Sequence, residues 1–410
     1  MWQETLWLLI IAITLTGVAI GRLPGLSMNR ASICMAGGTL LVLTGAISHQ
    51  EAMRAIDMDT IVLLLAMMLI NAHLRLAGFF ARVARLTVSS RLSPRALLAL
   101  LMLVSGTLSA LFLNDTIVLS FTPLVLEVVL MVGLPAEPFL LALAVSANIG
   151  SVTTLIGNPQ NMLIGVASAI PFLPFLRALG PVALGGLLIA WLILIALYRR
   201  PLAQMPQGTP PTEKESMDHP LLWKSLLATT LLLGALLAGL PVALSALAAA
   251  SLLLITRRWQ PERLFQEVDW GLLLFFAALF VVTRAVETTG FGGRLLSLLT
   301  GDGTMNIPSL AVVGLLLSNV VSNVPAVLLL RPLVTPLPWA ETAWLTLAMA
   351  TTLAGNLTLL GSVANLIVAE TARRQGVILG FWNYLKAGLP ITLCTLAWGI
   401  YWLRGFPGSP

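Results

Sequence analysis

Charged side chains are scarce in this chain. Asp, Glu, Lys and Arg make up 10% of its 410 residues, whereas 58% of the residues are hydrophobic. A soluble domain carries about 25% charged residues, so this composition excludes a water-exposed globule and predicts an integral membrane protein of many helices. The net charge of +6 does not indicate a nucleic-acid partner, because the basic residues are scattered at the ends of apolar runs.

Cysteines and the common catalytic motifs are also scarce. Cys34 and Cys394 both lie in apolar runs, where a buried thiol is the usual state, so neither a disulfide nor a metal pair is expected. The sequence contains no GxxxxGK[ST] phosphate loop, which excludes an ATPase of its own, and no HExxH or GxSxG signature. We therefore predict that the protein is not an enzyme and has no cofactor.

Apolar runs are abundant, and ten of them are long enough for a full membrane crossing. They cover residues 5–20, 31–47, 60–77, 138–168, 176–198, 221–238, 241–256, 269–286, 340–369 and 380–403. The runs at 138–168 and 340–369 are over-long and carry glycines at their centres, which predicts broken helices that stop, unwind and restart near the membrane midplane.

Two further runs, 96–132 and 307–336, are too long for one helix. Each is interrupted near its middle, by Leu113-Asn114-Asp115 in the first and by Ser322-Asn323-Val324-Pro325 in the second. We predict that both are re-entrant hairpins, which enter and leave the membrane on the same side.

The chain repeats itself. Residues 109–123 read SALFLNDTIVLSFTP and residues 318–332 read SNVVSNVPAVLLLRP; residues 148–164 and 352–368 read NIGSVTTLIGNPQNMLI and TLAGNLTLLGSVANLIV. The hydrophilic segment 201–220 separates a first repeat, 1–200, from a second, 221–410. Each repeat has five crossings and one hairpin, and an odd number of crossings inverts the second copy relative to the first.

Charge predicts the orientation. If both termini lie outside, most of the basic residues lie on the inner side, among them Arg82, Arg85, Arg199 and Arg200. The positive-inside rule then places the linker 200–220 in the cytoplasm. A multi-pass protein of the inner (plasma) membrane is the expected localisation.

Polar side chains within the apolar runs are the candidate site. Asn, Ser and Thr are costly in hydrocarbon unless they line a cavity or pair with protein, and their placement in corresponding parts of two halves is typical of a transporter's binding site. Unwound carbonyls with amide and hydroxyl oxygens suit a hard cation, and half-helix N-termini suit an anion. The predicted substrate- and ion-binding residues are Asn114, Asp115, Thr116, Asn148, Ser151, Thr154, Gly157, Asn158, Asn161, Ser322, Asn323, Asn356, Thr358, Gly361, Ser362 and Asn365.

Plainer interpretations compete with a binding role. Asn, Asp and Ser are common helix N-caps, and small polar residues pack helices together in membranes. Three roles suit Asp115: it binds a cation, carries a proton, or caps the second arm of its hairpin. Sodium ligands are predicted at Asn114, Asn148, Asn323 and Asn356.

A resemblance to a known family supports the interpretation of these residues as a binding site. The segments LSALFLNDTIVLSFTP, SANIGSVTTLIGNPQNMLIG, LLSNVVSNVPAVLLL and AGNLTLLGSVANLIVAE, in this order, resemble the ion transporter superfamily. That group includes arsenite efflux permeases, citrate and divalent-anion sodium symporters, and a branch of sodium/proton antiporters. The resemblance covers essentially the whole chain. It implies a scaffold and a transport domain, often in a homodimer that works by an elevator movement, with substrate and coupling ion held at the hairpin tips and broken helices.

One departure bears on the branch. Dicarboxylate symporters of the superfamily carry Ser-Asn-Thr at both tips, whereas this chain has Leu113-Asn114-Asp115-Thr116 at the first and Ser322-Asn323-Val324-Pro325 at the second. The acid favours the arsenite and antiporter branches. The sequence thus predicts an elevator-type carrier of a small inorganic or carboxylate anion, driven by a sodium or proton gradient. A sodium/proton antiporter using Asp115 is the alternative, and a channel or an intramembrane enzyme is less favoured.

Overall fold

The computed structural model describes residues 2–21, 23, 25–90, 92–204, 217–255, 261–290 and 305–406. In these residues the secondary structure consists of α-helices and two short 3-10 helices, Pro201–Ala203 and Leu359–Gly361. The helices before the linker are α1 (Trp2–Ile20), α2 (Arg30–Leu43), α3 (His49–Ala55), α4 (Met58–Leu76), α5 (Phe79–Val88), α6 (Pro94–Leu111), α7 (Asn114–Met131), α8 (Ala136–Ser151), α9 (Pro159–Ser168) and α10 (Phe172–Leu197). Those after it are α11 (His219–Leu237), α12 (Val242–Leu254), α13 (Pro261–Gln266), α14 (Trp270–Thr288), α15 (Ile307–Val321), α16 (Asn323–Val334), α17 (Ala340–Ala354), α18 (Val363–Arg374) and α19 (Phe381–Arg404).

Length and composition make several of these helices membrane spans. Seven of the described helices, α1, α4, α6, α7, α10, α11 and α14, are long and apolar enough to cross a bilayer. Large apolar side chains also face outward: Leu184, Leu188 and Leu192, four residues apart on α10, are all more than half exposed. An outward leucine stripe of this kind suits contact with lipid chains. The prediction of an all-α polytopic membrane protein is confirmed.

The same order of elements occurs twice. Each half begins with two helices, a short helix and then a long one (α1 to α4 and α11 to α14), continues to a helical hairpin and an interrupted helix, and ends with one long helix. Packing follows the repeat: α6 contacts α8 as α15 contacts α17, and α4 contacts α12 as α14 contacts α2. The last pair of contacts crosses between the halves, so the two repeats interlock.

The hairpins and breaks lie within the runs that the sequence singled out. The first hairpin turns at Phe112 and Leu113 between α6 and α7, and the second turns at Ser322 between α15 and α16. The first interrupted helix consists of α8 and α9 with residues 152–158 between them; the second consists of α17 and α18 with residues 355–362 between them. In each hairpin the two arms contact one another.

The linker is described only at its two ends. Residues 205–216 lie outside the described part of the chain. Helix α11 begins at His219, two residues before the predicted second repeat, because the Asp218 side chain accepts a hydrogen bond from the Leu221 backbone N–H at 3.1 Å and so caps the helix. The division into two repeats at this segment stays a prediction.

Glycine lets the first hairpin approach the first interrupted helix closely. A Cβ atom on Gly150 of α8 would lie 2.0 Å from the carbonyl oxygen of Gly106 on α6. The two backbones therefore touch at this point, as small residues allow in membrane helices. This contact holds the first interrupted helix directly against the hairpin arm that leads to the first tip.

Candidate functional site

The break in the first interrupted helix is held by one side chain. The Asn161 side-chain amide donates hydrogen bonds to the carbonyl oxygens of Ser151 at 3.0 Å, Val152 at 3.3 Å and Thr154 at 2.9 Å. Asn158 caps α9, because its Oδ1 accepts from the Asn161 backbone N–H at 2.9 Å. The Ser151 carbonyl at the end of α8 and two carbonyls of the break are thereby paired with a protein donor.

The second break repeats this arrangement with one carbonyl contact fewer. The Asn365 side-chain amide donates to the carbonyl oxygens of Gly355 at 2.7 Å and Thr358 at 3.1 Å. Ser362 caps α18, since its hydroxyl accepts from the Ala364 backbone N–H at 3.2 Å. The sequence placed Asn161 and Asn365 among the ligand-binding residues; their amide N–H groups face their own backbone, which makes both residues organisers of the breaks.

Asn148 joins the two halves. Its Oδ1 accepts hydrogen bonds from Asn114 Nδ2 at 3.2 Å and from the Ser362 hydroxyl at 3.0 Å. Its Nδ2 donates to Oδ1 of Asn356 at 3.0 Å and of Asn365 at 3.1 Å. One buried amide on α8 thus contacts the first hairpin tip and the second break.

Thr352 takes the corresponding place on α17. Its hydroxyl accepts from Asn158 Nδ2 at 3.3 Å and from Gln160 Nε2 at 3.2 Å, and lies 3.5 Å from Asn161 Oδ1. Asn148 of the first half contacts the second break, and Thr352 of the second half contacts the first break. The contacts between the halves are therefore reciprocal. We call the side chains joined through Asn148 and Thr352 the central network.

The first hairpin tip is fastened to the first break. The Asn114 backbone N–H donates to the Gly157 carbonyl oxygen at 3.1 Å, and the Thr154 hydroxyl donates to the Ala110 carbonyl oxygen. Asp115 and Thr116 lie in the first turn of α7 and are partly exposed. The backbone N–H of Asp115 donates to Asn114 Oδ1 at 3.0 Å.

The second hairpin tip is strained. Ser322 has φ +79° and ψ 161°, a region that only glycine occupies readily and that costs another residue about 1–3 kcal/mol. Ser318 supports this tip: its hydroxyl donates to Asn323 Oδ1 at 2.5 Å and lies 3.2 Å from the Thr351 carbonyl oxygen. Backbone strain that is kept at a hairpin tip points to a functional role for that tip.

Buried polarity without formal charge characterises the central network. Asn148, Asn158, Thr352, Asn356 and Asn365 are each at most 2% exposed, and no lysine or arginine belongs to the network. Among the described residues, buried Asn356 Nδ2 has no hydrogen-bond partner, which leaves a donor available in the network. Buried polar groups are nearly always paired, so such an atom is a candidate contact for a ligand.

The predicted site residues fall into three groups. Those brought together by the network are Asn114, Asn148, Ser151, Asn158, Asn161, Asn356, Ser362 and Asn365. Thr154, Gly157, Thr358 and Gly361 shape the breaks, where a Cβ on Gly157 would lie 2.7 Å from the Ser109 and Ser151 carbonyl oxygens. Asp115, Thr116, Ser322 and Asn323 lie at the tips, and Asn323 makes no described hydrogen bond to the other three proposed sodium ligands.

The sequence analysis did not identify several polar side chains that support the central network and the second hairpin. Gln160 donates to Thr352, Ser318 supports the second tip, and the Asn319 side-chain amide donates to the Ala354 carbonyl oxygen at 3.2 Å. A signal was present for Ser318, which opens its motif just as Ser109 opens the matching one. No His, Cys, Asp or Glu cluster suited to a metal ion occurs in the described residues.

Comparison with known proteins gives the family. The profile of the citrate transporter family matches residues 7–354 of the chain. The chain belongs to the citrate transporter family. This citrate transporter family member is 34% identical to the silicon efflux transporter LSI3 of Oryza sativa, over 92% of this chain and 93% of the relative. It is 26% identical to the putative transporter arsB of Dictyostelium discoideum, over 92% of this chain and 87% of the relative.

A solved structure shows the same fold. The crystal structure of the Alcanivorax borkumensis YdaH transporter, described as having an unusual topology, aligns over 100% of both chains with a TM-score of 0.57 at 15% identity. The family profile and the relatives confirm the resemblance to the ion transporter superfamily. As a member of the citrate transporter family, the protein is a multi-pass membrane transporter and not an enzyme.

Proposed function

We propose that the protein is a secondary active transporter that carries a small inorganic or carboxylate anion, driven by a sodium or proton gradient. The observation that supports this most is the exchange of contacts through Asn148 and Thr352, which joins both interrupted helices and the first hairpin tip. Helices broken at the centre of a membrane are the usual means by which carriers expose backbone groups to an ion.

The donors available in the network favour an anion. Helix α7 begins at Asn114, and the caps of α9 and α18, Asn158 and Ser362, also belong to the central network. Helix N-termini offer N–H groups and a partial positive charge, and Asn356 Nδ2 adds a free donor. Inorganic and carboxylate anions both suit such a site, since both accept several hydrogen bonds.

Burial of the network supports a carrier over a channel. Its core side chains are closed off from solvent, whereas a channel requires a continuous aqueous path. The tips and breaks are fastened to each other by hydrogen bonds, which suits a rigid transport domain that moves past a scaffold. We propose this elevator movement in a homodimer of the inner membrane, with both termini outside and the linker in the cytoplasm.

The names of relatives widen the choice of substrate. The family profile is named for citrate transport and the rice relative for silicon efflux. We therefore propose only the class of substrate and leave the compound and the direction of transport to experiment.

A second candidate function is sodium/proton antiport. It rests on Asp115, an acid in the first turn of α7 beside network residue Asn114, which supplies a carboxylate for a cation or a proton.

Thermal stability of the purified protein against a panel of anions, with and without sodium and over a range of pH, tests the proposal. Saturable stabilisation by one anion is the expected result, and sodium or protons should strengthen it. Stabilisation by sodium or lithium alone, lost in Asp115→Asn, would instead establish the antiporter. If no ion stabilises the protein under any condition, the binding site that we propose is wrong.

A further inference from the structure

A cluster of charged residues lies away from the central network, which itself carries no formal charge. Helices α3, α14 and α16 line an open cavity of about 460 Å³, and each helix contributes one arginine. These are Arg54 on α3, Arg284 on α14 and Arg331 on α16. We call this space the arginine cavity. Arg331 is eight residues beyond Asn323 on α16, which places it roughly 12 Å along the helix from the second tip.

The acids that line the arginine cavity have partners of their own. Glu287 Oε2 lies 2.9 Å from Arg284 Nη1. Glu51 accepts hydrogen bonds from the Ser48 hydroxyl at 2.7 Å and from the Ser48 backbone N–H at 3.1 Å. These bonds hold the pKa of Glu51 below its ordinary value, and the charges of Arg284 and Arg54 lower the pKa further.

Two of the three arginines form no ion pair within 4 Å in the described part of the chain. Among the described residues, neither Arg54 nor Arg331 forms an ion pair, whereas Arg284 does. The three arginines and two glutamates of the cavity sum to one positive charge, and the guanidinium groups of Arg54 and Arg331 line one space without an ion-paired acid. Guanidinium groups that converge repel one another, and a group with several negative oxygens offsets that repulsion through forked hydrogen bonds.

We propose that the arginine cavity binds a small oxyanion, through Arg54, Arg284 and Arg331, at a site separate from the central network. The oxyanion is either a dissolved anion such as inorganic phosphate or the phosphate of a lipid headgroup, because both present the same oxygens. The site connects α16, the second arm of a hairpin, to α3 and α14, so an oxyanion bound there bridges separate helices. The proposal does not depend on what the central network transports.

Chemical labelling of arginines tests this directly. The full-length protein in neutral detergent at low ionic strength is treated with phenylglyoxal at increasing concentrations of inorganic phosphate, and mass spectrometry follows each arginine. Labelling of Arg54 and Arg331 should slow saturably, by fivefold or more. Exposed Arg177 on α10 is the internal control and should change little. Equal slowing at Arg177, or none at Arg54 and Arg331, overturns the proposal.

Two charge variants should change the phosphate protection in opposite directions. Arg284→Gln removes a positive charge and should weaken the phosphate protection about tenfold, as expected for one charge roughly 6 Å away at an effective dielectric constant of about 40. Glu287→Gln removes a negative charge and should strengthen protection by a similar factor. If both variants weaken protection alike, they act by disturbing the fold, and the electrostatic proposal fails.

Bilayer nanodiscs distinguish the two sources of the oxyanion. In nanodiscs made of anionic lipid, slow labelling of Arg54 and Arg331 without added phosphate would assign the site to a headgroup. In nanodiscs made of a neutral glycolipid that carries no phosphate, protection that appears only when phosphate is added would assign the site to a dissolved anion. Rapid labelling in both kinds of nanodisc, with or without phosphate, would contradict an oxyanion site.

Discussion

Ser322 offers a test in which stability and function should separate. Its backbone lies at φ +79° and ψ 161°, where a side chain costs about 1–3 kcal/mol. Ser322→Gly removes that strain, and the added freedom of glycine in the unfolded chain costs about 0.5–1 kcal/mol. The net gain is about 0–2.5 kcal/mol, which for a chain of this size raises the midpoint of thermal unfolding by at most about 3 °C.

Flux should respond in the opposite direction. Ser322→Gly also removes the hydroxyl that we place at the substrate site, so transport in proteoliposomes should fall about tenfold or more, the scale of one lost hydrogen bond to a charged group. Ser322→Ala keeps the strained backbone and loses the hydroxyl, so it should lose flux without gaining stability. Thermal unfolding in detergent and flux are measured on the same preparations.

Ala169 provides the matched control. It is the other non-glycine residue with positive φ in the described part of the chain, at +54°, and it ends α9 away from the central network. Ala169→Gly should raise stability slightly, since left-handed backbone costs roughly 1–2 kcal/mol, and should leave flux unchanged. If Ser322→Gly lowers stability, the strain argument is refuted. If Ser322→Gly keeps normal flux, the second tip is not a binding element.

Further variants test the scaffold of the site. Asn161→Ala should speed hydrogen exchange in its own break about 30-fold to 150-fold, because two to three hydrogen bonds of about 1 kcal/mol each are lost. Asn365→Ala should do the same in the second break, and each variant should leave the opposite break unchanged; equal exchange in both would show that neither amide holds its break. Gly150→Ala should reduce stability by about 3 kcal/mol or abolish folding, because its Cβ meets backbone at 2.0 Å. Gly38→Ala, where the nearest atom is 3.6 Å away, should be tolerated, and fluorescence-detected size-exclusion chromatography compares the two.

Much of the fold could be predicted because hydrocarbon imposes a simple rule. A polar side chain in an apolar run must be hydrogen-bonded by protein. Asn114 and Asp115 in one run, and Ser322 and Asn323 in the other, therefore predicted interruptions, and the structure contains both. Asn148 could be singled out for the same reason. The matched motifs also predicted that Asn161 and Asn365 correspond, and they make equivalent hydrogen bonds.

The direction of each hydrogen bond could not be predicted, because spacing along the chain does not tell which way an amide faces. The assignment of Asn161 and Asn365 to ligand binding stays a prediction; the structure adds that their N–H groups hold backbone carbonyls. The pairing of Asn148 with the second break and of Thr352 with the first joins residues about 200 positions apart. Contacts of this kind follow from how the halves interlock, which no local pattern records.

Charged residues outside the apolar runs were the hardest to interpret. Arg54 and Arg284 come from different halves of the chain, and only the packing of α3 against α14 brings them to one cavity with Arg331. Each arginine alone is an ordinary residue at a helix end. Their convergence became visible only in three dimensions.

Flux in proteoliposomes tests the central claim most directly. Purified protein is reconstituted, the anion that stabilises it is added outside, and uptake is measured with and without an imposed sodium or proton gradient. The account predicts saturable uptake that a gradient accelerates and that Asn148→Ala abolishes while the variant stays folded. Uptake that does not saturate, ignores every gradient, or continues unchanged in Asn148→Ala would contradict a gradient-driven carrier built around the central network.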